Sequence, residues 1–253
     1  METNNGKYLY GLIEAKTDKK YISRGVEGSS PVYTVRHKDV GAIISDLSQE
    51  IVKATLENCA LHEKVLEEAM RETTVLPFEF GTVSPRSEAV TNLIKNNYIN
   101  IKKSINYLRD KMEMGVQARW AGMEKIFQEI VSENRHIALY KKSIEKKSPN
   151  ETYQDRIKIG QLVAQALYVK KEKEIHLILT ALKRGTLGYV PEKIVGDNMI
   201  FNGAFLVRKT NLARFESILY SLGHKLDDRI DFTYTGPLPP YNFTNLTLKI
   251  RGQ

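Results

Sequence analysis

Cys59 and His62 lie three residues apart, so one helical face could bring a thiol beside an imidazole, the pair a cysteine nucleophile needs. Such a pair also requires a third group to orient the imidazole and donors for an oxyanion, and neither is identifiable in the sequence. His62-Glu63 opens a zinc-binding HExxH helix, but Leu66 stands where the second histidine belongs. The remaining histidines (His37, His136, His176, His224) are dispersed and share no metal-ligand spacing. Glu67-Glu68 and Asp227-Asp228 are adjacent rather than facing, as on a solvated surface. Neither glycine-rich phosphate-binding pattern occurs, nor does CxxC. The expectation is a chain without catalytic residues, cofactor or metal site, in which His62 is a satisfied histidine at the edge of a core.

A different kind of function is written at 232–243, Phe-Thr-Tyr-Thr-Gly-Pro-Leu-Pro-Pro-Tyr-Asn-Phe. Pro237 fixes φ and lacks an N–H, so Gly236-Pro237 is expected to end a strand. Pro239 and Pro240 hold their neighbours extended. Tyr234, Tyr241 and Phe243 then project from a stiff backbone, which suits a protein-binding lip at low entropic cost. The candidate partner-binding set is Tyr234, Gly236, Pro237, Pro239, Pro240, Tyr241, Asn242 and Phe243. The same residues could instead form a lid with its aromatics turned into the core. Changing Tyr241 and Phe243 to alanine separates the two: a lip loses its partner, a lid loses its fold.

The elements that must carry these residues show in the hydrophobic pattern. Tyr8–Glu14, Val32–Arg36 and Ala42–Asp46 read as strands, with Gly-Ser-Ser-Pro at 28–31 as punctuation. Leu61, Val65, Leu66, Ala69 and Met70 form a helical stripe. Thr74–Val83 reads as a strand whose Pro77 belongs at an edge or bulge. Ser84-Pro85 resembles a helix start, with a helical period from Val90 to about Met112. Glu113–Trp120 alternates as a strand does. Helices follow at roughly 121–140 and 151–184 around a basic connector containing Pro149. Tyr189–Val195 and Met199–Arg208 flank a hairpin loop at 196–198. Asn211 can cap a helix faced by Leu212, Phe215, Ile218, Leu219 and Leu222, with Gly223 as its stop. Ile230–Thr235 is a strand and Leu246–Ile250 a possible last one. From Glu113 the order is βαββαβ, that of a ferredoxin-like unit with a swollen first crossover. The fold class is α+β, with an N-terminal domain at 1–110, a connecting helix at 85–112 and a C-terminal domain at 111–253.

Of 253 residues, 42% are hydrophobic and 27% charged, as in a soluble globular protein. One cysteine excludes an internal disulfide framework, and no secretion signal or apolar run of membrane-spanning length is visible, so a cytoplasmic setting without a membrane partner is expected. The net charge is +8, and twelve Lys and Arg against five acids between Arg135 and Arg184 leave +7 there. That region is a solvated helical face or a dock for an acidic partner or nucleic acid. No strand carries the aromatic pattern of an RNA-recognition sheet, which disfavours nucleic acid.

Thr-Gly-Pro-Leu-Pro-Pro-Tyr-Asn-Phe (235–243) closely resembles the Thr-Gly-Pro-Trp-Pro-Pro-Tyr-Asn-Phe signature of the gas vesicle protein F/L family (GvpF and GvpL), with Leu238 in the tryptophan position. Tyr-Leu-Tyr-Gly-Leu (8–12), Ala-Ile-Ile-Ser-Asp-Leu (42–47), His-Glu-Lys-Val-Leu-Glu (62–67), Val-Leu-Pro-Phe-Glu-Phe-Gly-Thr-Val (75–83) and Glu-Met-Gly-Val-Gln-Ala-Arg-Trp (113–120) follow in the family's order. The resemblance implies two ferredoxin-like-related α+β parts, no enzymatic activity and no cofactor. It also implies partners: the small hydrophobic shell protein GvpA and other gas vesicle accessory proteins, met during assembly, with a place on the gas-facing side of the shell.

Overall fold

A computed structural model describes residues 6–28, 30–47, 51–148 and 150–248. The chain forms two compact units: Met1–Met114, Leu206–Thr210 and Gly236–Gln253 make the first, Gly115–Phe205 and Asn211–Thr235 the second.

The first unit is built on β1 (Lys7–Glu14), which runs antiparallel to β4 (Val40–Asp46) on one side and to the short β5 (Val75–Pro77) and β6 (Val83–Ser84) on the other. β3 (Pro31–His37) and β2 (Lys20–Arg24) extend the sheet, giving the order β2-β3-β4-β1-β5. A register shift between Leu9 and Gly11 changes which residues of β1 share a face. Tyr8, Tyr10 and Ile13 join one core, with Val65, Leu66 and Ala69 of α1 (Leu56–Glu72), while Leu9 and Leu12 join the other. That second core contains Val90, Ile94, Ile101, Ile105 and Leu108 of α2 (Ser87–Leu108). A helix thus covers each face of the sheet. Gly11 permits the close packing at the shift: a Cβ there would lie 2.8 Å from the Leu76 carbonyl oxygen.

Several expectations need correction in this unit. β2 escapes the hydrophobic pattern because it is an outer strand with Ile22 pointing into water. Its outer amides are not open, since Ile22 and Ser23 both donate to the Glu68 carboxylate at 2.8 Å. The strand expected over Thr74–Val83 is cut by a turn at Gly81, where φ is +88° and Thr82 N–H reaches the Glu79 carbonyl. Pro77 does close an outer strand, where its missing N–H costs no ladder bond. Ser84 pairs with Lys7 in β6 instead of capping a helix, and α2 begins three residues later. α2 stops at Leu108, short of Met112, because Asp110 turns the chain with φ of +57°.

A second sheet, of order β10-β7-β9-β8, is formed by β7 (Lys111–Trp120), β8 (Gly188–Pro191), β9 (Met199–Arg208) and β10 (Ile230–Leu238) and lies mainly in the second unit, the strand ends Lys111–Met114, Leu206–Arg208 and Gly236–Leu238 being counted in the first. Between β7 and β8 lie α3 (Met123–Glu133), α4 (Arg135–Ile144) and α5 (Tyr153–Leu182), and between β9 and β10 lies α6 (Leu212–Leu226). The element order matches the one read from the sequence. Phe205 joins Tyr189, Phe201 and Phe215 with ring centroids 5.1–6.0 Å apart, tying the sheet to α6. The helix expected at 121–140 is broken at Asn134, whose side-chain amide bonds back to the Ile130 carbonyl at 2.7 Å. Within α5 only Leu167, Ile178 and Leu182 are buried, and Ile159, Leu162, Val163 and Ala166 are half-covered. β8 ends at Pro191, before Val195. Asn211 takes the N-cap position without a side-chain bond, and Gly223 lies inside α6 without the left-handed φ of a stop. β10 continues through Gly236 and Pro237 to Leu238, tolerable for proline because β10 is outermost. Leu246–Leu248 is not a strand, and Lys249, Ile250 and Pro149 fall outside the described residues.

Candidate functional site

The proline-aromatic segment divides at Thr235/Gly236. Tyr234 is 49% exposed, and Gly236 and Pro237 are also exposed, whereas Pro239 and Pro240 are buried and Tyr241, Asn242 and Phe243 are half-buried. Gly236 has φ of +140°, and a Cβ on it would strike Met114 Sδ at 2.6 Å, so only glycine fits. A 3-10 turn at Tyr241–Phe243 follows, closed by the Thr244 hydroxyl on the Pro240 carbonyl at 2.7 Å. From this turn Tyr241 packs on the core beneath α1, while Phe243, Leu246 and Leu248 pack on the core beneath α2. Two of the three aromatics therefore face inward as a strap on the first unit, and the third faces solvent in the second.

Tyr241 ends a hydrogen-bonded chain. Its hydroxyl lies 2.8 Å from Glu63 Oε1 and 3.2 Å from His62 Nε2, while His62 Nδ1 is 3.0 Å from the Tyr8 hydroxyl. Tyr8 also accepts the Gly81 N–H at 3.0 Å. A carboxylate only accepts, so Tyr241 donates to Glu63, Nε2–H donates to Tyr241, and Nδ1 accepts from Tyr8. All four groups are satisfied in that one arrangement. Burial lowers the His62 pKa to about 4, the Phe78 backbone opposing weakly, so the ring is neutral at pH 7. Burial, with Glu67 nearby, raises Glu63, while the Tyr241 hydrogen bond pulls it back. Burial is also the main cause of the raised Tyr241 and Tyr8 values, so both stay protonated.

One residue later Asn242 makes a second attachment. Its backbone N–H and its side-chain amide each donate at 2.8 Å to the two oxygens of Glu113, a carboxylate 3% exposed. The sequence placed Glu113 at the start of a strand and of the 113–120 landmark, but nothing in it pointed to Asn242 as its partner.

Chemistry is poorly served by this geometry. Both ring nitrogens of His62 are engaged, leaving none to take a proton from Cys59 one turn away on α1. Among the described residues no group of three His, Cys, Asp or Glu could hold a metal ion, and no helix is long and apolar enough to cross a membrane. In the basic stretch, Lys170 bonds Glu129 and Glu133 at 2.9–3.0 Å inside the second unit. Arg229 joins the same cluster through Glu129 and Glu174 and lies 5.1 Å from the Trp120 ring.

The sequence model of gas vesicle synthesis protein GvpL/GvpF matches residues 6–245, all but the ends of the chain. The chain belongs to the GvpL/GvpF family. Relatives in the family include gas vesicle protein F of Nostoc sp., 27% identical over 96% of this chain and all of that one. Gas vesicle protein F1 of Halobacterium salinarum is 25% identical over 94% of this chain and 92% of its own. The crystal structure of GvpF from Anabaena sp. superposes with a TM-score of 0.83 at 26% identity, covering 96% of this chain and 99% of that one. GvpF from Microcystis aeruginosa shares the fold, with a TM-score of 0.79 at 23% identity over 95% and 99%. Membership supports a gas vesicle accessory role. The segment at 235–243 is, in this chain, largely a strap on the first unit.

Proposed function

We propose that this chain acts as a stoichiometric receptor that binds the gas vesicle shell protein GvpA and other accessory proteins during assembly, transforming no molecule. The observation that carries the reading is the family match across residues 6–245. The physics supports it. A small shell subunit with an apolar face associates with itself unless that face is covered, and an α+β protein with exposed aromatics can cover it. Tyr168, Tyr220 and Tyr234 are 63%, 71% and 49% exposed in the second unit. The His62 cluster, the one grouping of a thiol helix with an imidazole, is locked by its own hydrogen bonds. The binding takes place in the cytoplasm, and the chain then remains on the gas-facing side of the shell.

Co-expression with GvpA tests the reading. A soluble complex that co-elutes on gel filtration is expected; GvpA that stays insoluble with or without the chain overturns it. Protection of the chain from protease in intact vesicles, lost once they collapse, is expected from its placement.

A further inference from the structure

Between α6 and β10 the second unit carries an open groove of about 690 Å3. Ala213, Ser217 and Gly223 keep the α6 wall low, and Tyr220 rises from it with His224 against its ring, centroids 4.4 Å apart. Phe232 and Tyr234 form the opposite wall; two residues apart on a strand, they share one face. β10 is outermost in its sheet and its residues Thr233–Thr235 are exposed, so another strand could pair beside it with alternate side chains entering the groove. The charge of the groove lining runs against that of the molecule. In a chain of net charge +8, Glu216 and Asp227 line it, and no lysine or arginine is among its lining residues.

We propose that this groove and the adjoining edge of β10 take an extended apolar segment of a partner protein that carries lysine or arginine beside its apolar residues. The apolar side chains at alternate positions meet Tyr220, Phe232 and Tyr234, and the flanking cations meet Glu216 and Asp227. This rests on the receptor reading above and adds the surface and the chemistry that it selects.

The test uses the full chain and two dye-labelled ten-residue peptides of alternating valine and threonine, one with two lysines at each end and one with two glutamates. Fluorescence anisotropy at low salt is expected to show the lysine-flanked peptide binding at least tenfold more tightly, with the preference shrinking as salt rises. Tyr234→Ala and Gly223→Leu are each expected to weaken it at least tenfold. Gly223→Leu is the discriminating variant. A Cβ at Gly223 meets nothing within 4 Å, and a helix interior favours leucine over glycine, so this variant fills the groove while keeping the fold. Equal binding of the two peptides, or undiminished binding by Gly223→Leu with an unchanged circular dichroism spectrum, overturns the proposal. A concentration-dependent dimer in sedimentation that Gly223→Leu abolishes assigns the groove to a second copy and also overturns it. Failures of the two readings stay distinct. A Gly223→Leu chain that still holds GvpA in solution defeats the groove alone; a wild-type chain that binds the lysine-flanked peptide but not GvpA defeats the receptor reading alone.

Discussion

Polar side chains meet opposite surroundings in the two units. In the first, His62 and Glu113 are 1% and 3% exposed, and both are bound by residues near the far end of the sequence. In the second, Arg229 and Glu129 keep about a quarter of their side chains in water, and the aromatics of the α6–β10 groove stand open. A buried polar group must be satisfied in one geometry, so the first unit holds its C-terminal strap in a single position. Water can replace any partner lost at a half-exposed ion pair, so the second unit tolerates change there. Stability is concentrated at the strap, and adaptable surface lies in the other unit.

The sharpest way to break that contrast is to change Tyr241 and Phe243 together to alanine. A loss of about 4 kcal/mol is expected from vacating two half-buried positions packed on the cores and the Tyr241 hydrogen bonds, read as a lower urea midpoint and faster hydrogen exchange in β1 and α1. An unchanged midpoint would show that the strap merely rests on the unit and would restore the lip reading. Glu113→Ala follows, at about 3 kcal/mol, because it leaves both Asn242 donors without their carboxylate; Glu113→Gln should recover part of the loss.

The third effect is on pH. His62 has a folded pKa of about 4 against an ordinary 6.5, so the unfolded chain binds the proton more readily between those values. The stability from the neutral ring is complete above pH 6.5 and drains away as pH falls towards 4, by up to about 3 kcal/mol. Urea midpoints from pH 7 to 4 should show this slope, and His62→Gln should flatten it. Arg229→Ala is expected to cost only about 1 kcal/mol, and less in high salt. A loss comparable to that of Glu113→Ala would erase the distinction between the units.

Much of this fold was legible because its signal is local. β1, β3, β4, β7 and β9 announce themselves by apolar strand patterning, and α1, α2 and α6 by their buried stripes. The failures are places where distant or solvent-facing structure decides. β2 turns only Tyr21 towards a core, too little to pattern it, Ser84 is held by Lys7 across the sheet, and Gly223 looks like a stop until α6 continues past it. The strap was visible as an unusual segment, but its direction was not. What turns Asn242 inward is Glu113, 129 residues earlier, and periodicity carries no information across such a separation. Tyr234 and Tyr241 look alike in sequence and differ only in what lies opposite.

Glu68 has a consequence for the company this molecule keeps. By occupying the amides of Ile22 and Ser23 from its own helix, it denies a foreign β-chain the template those groups would supply. That flank can then be approached by an extended chain without the sheet growing across it.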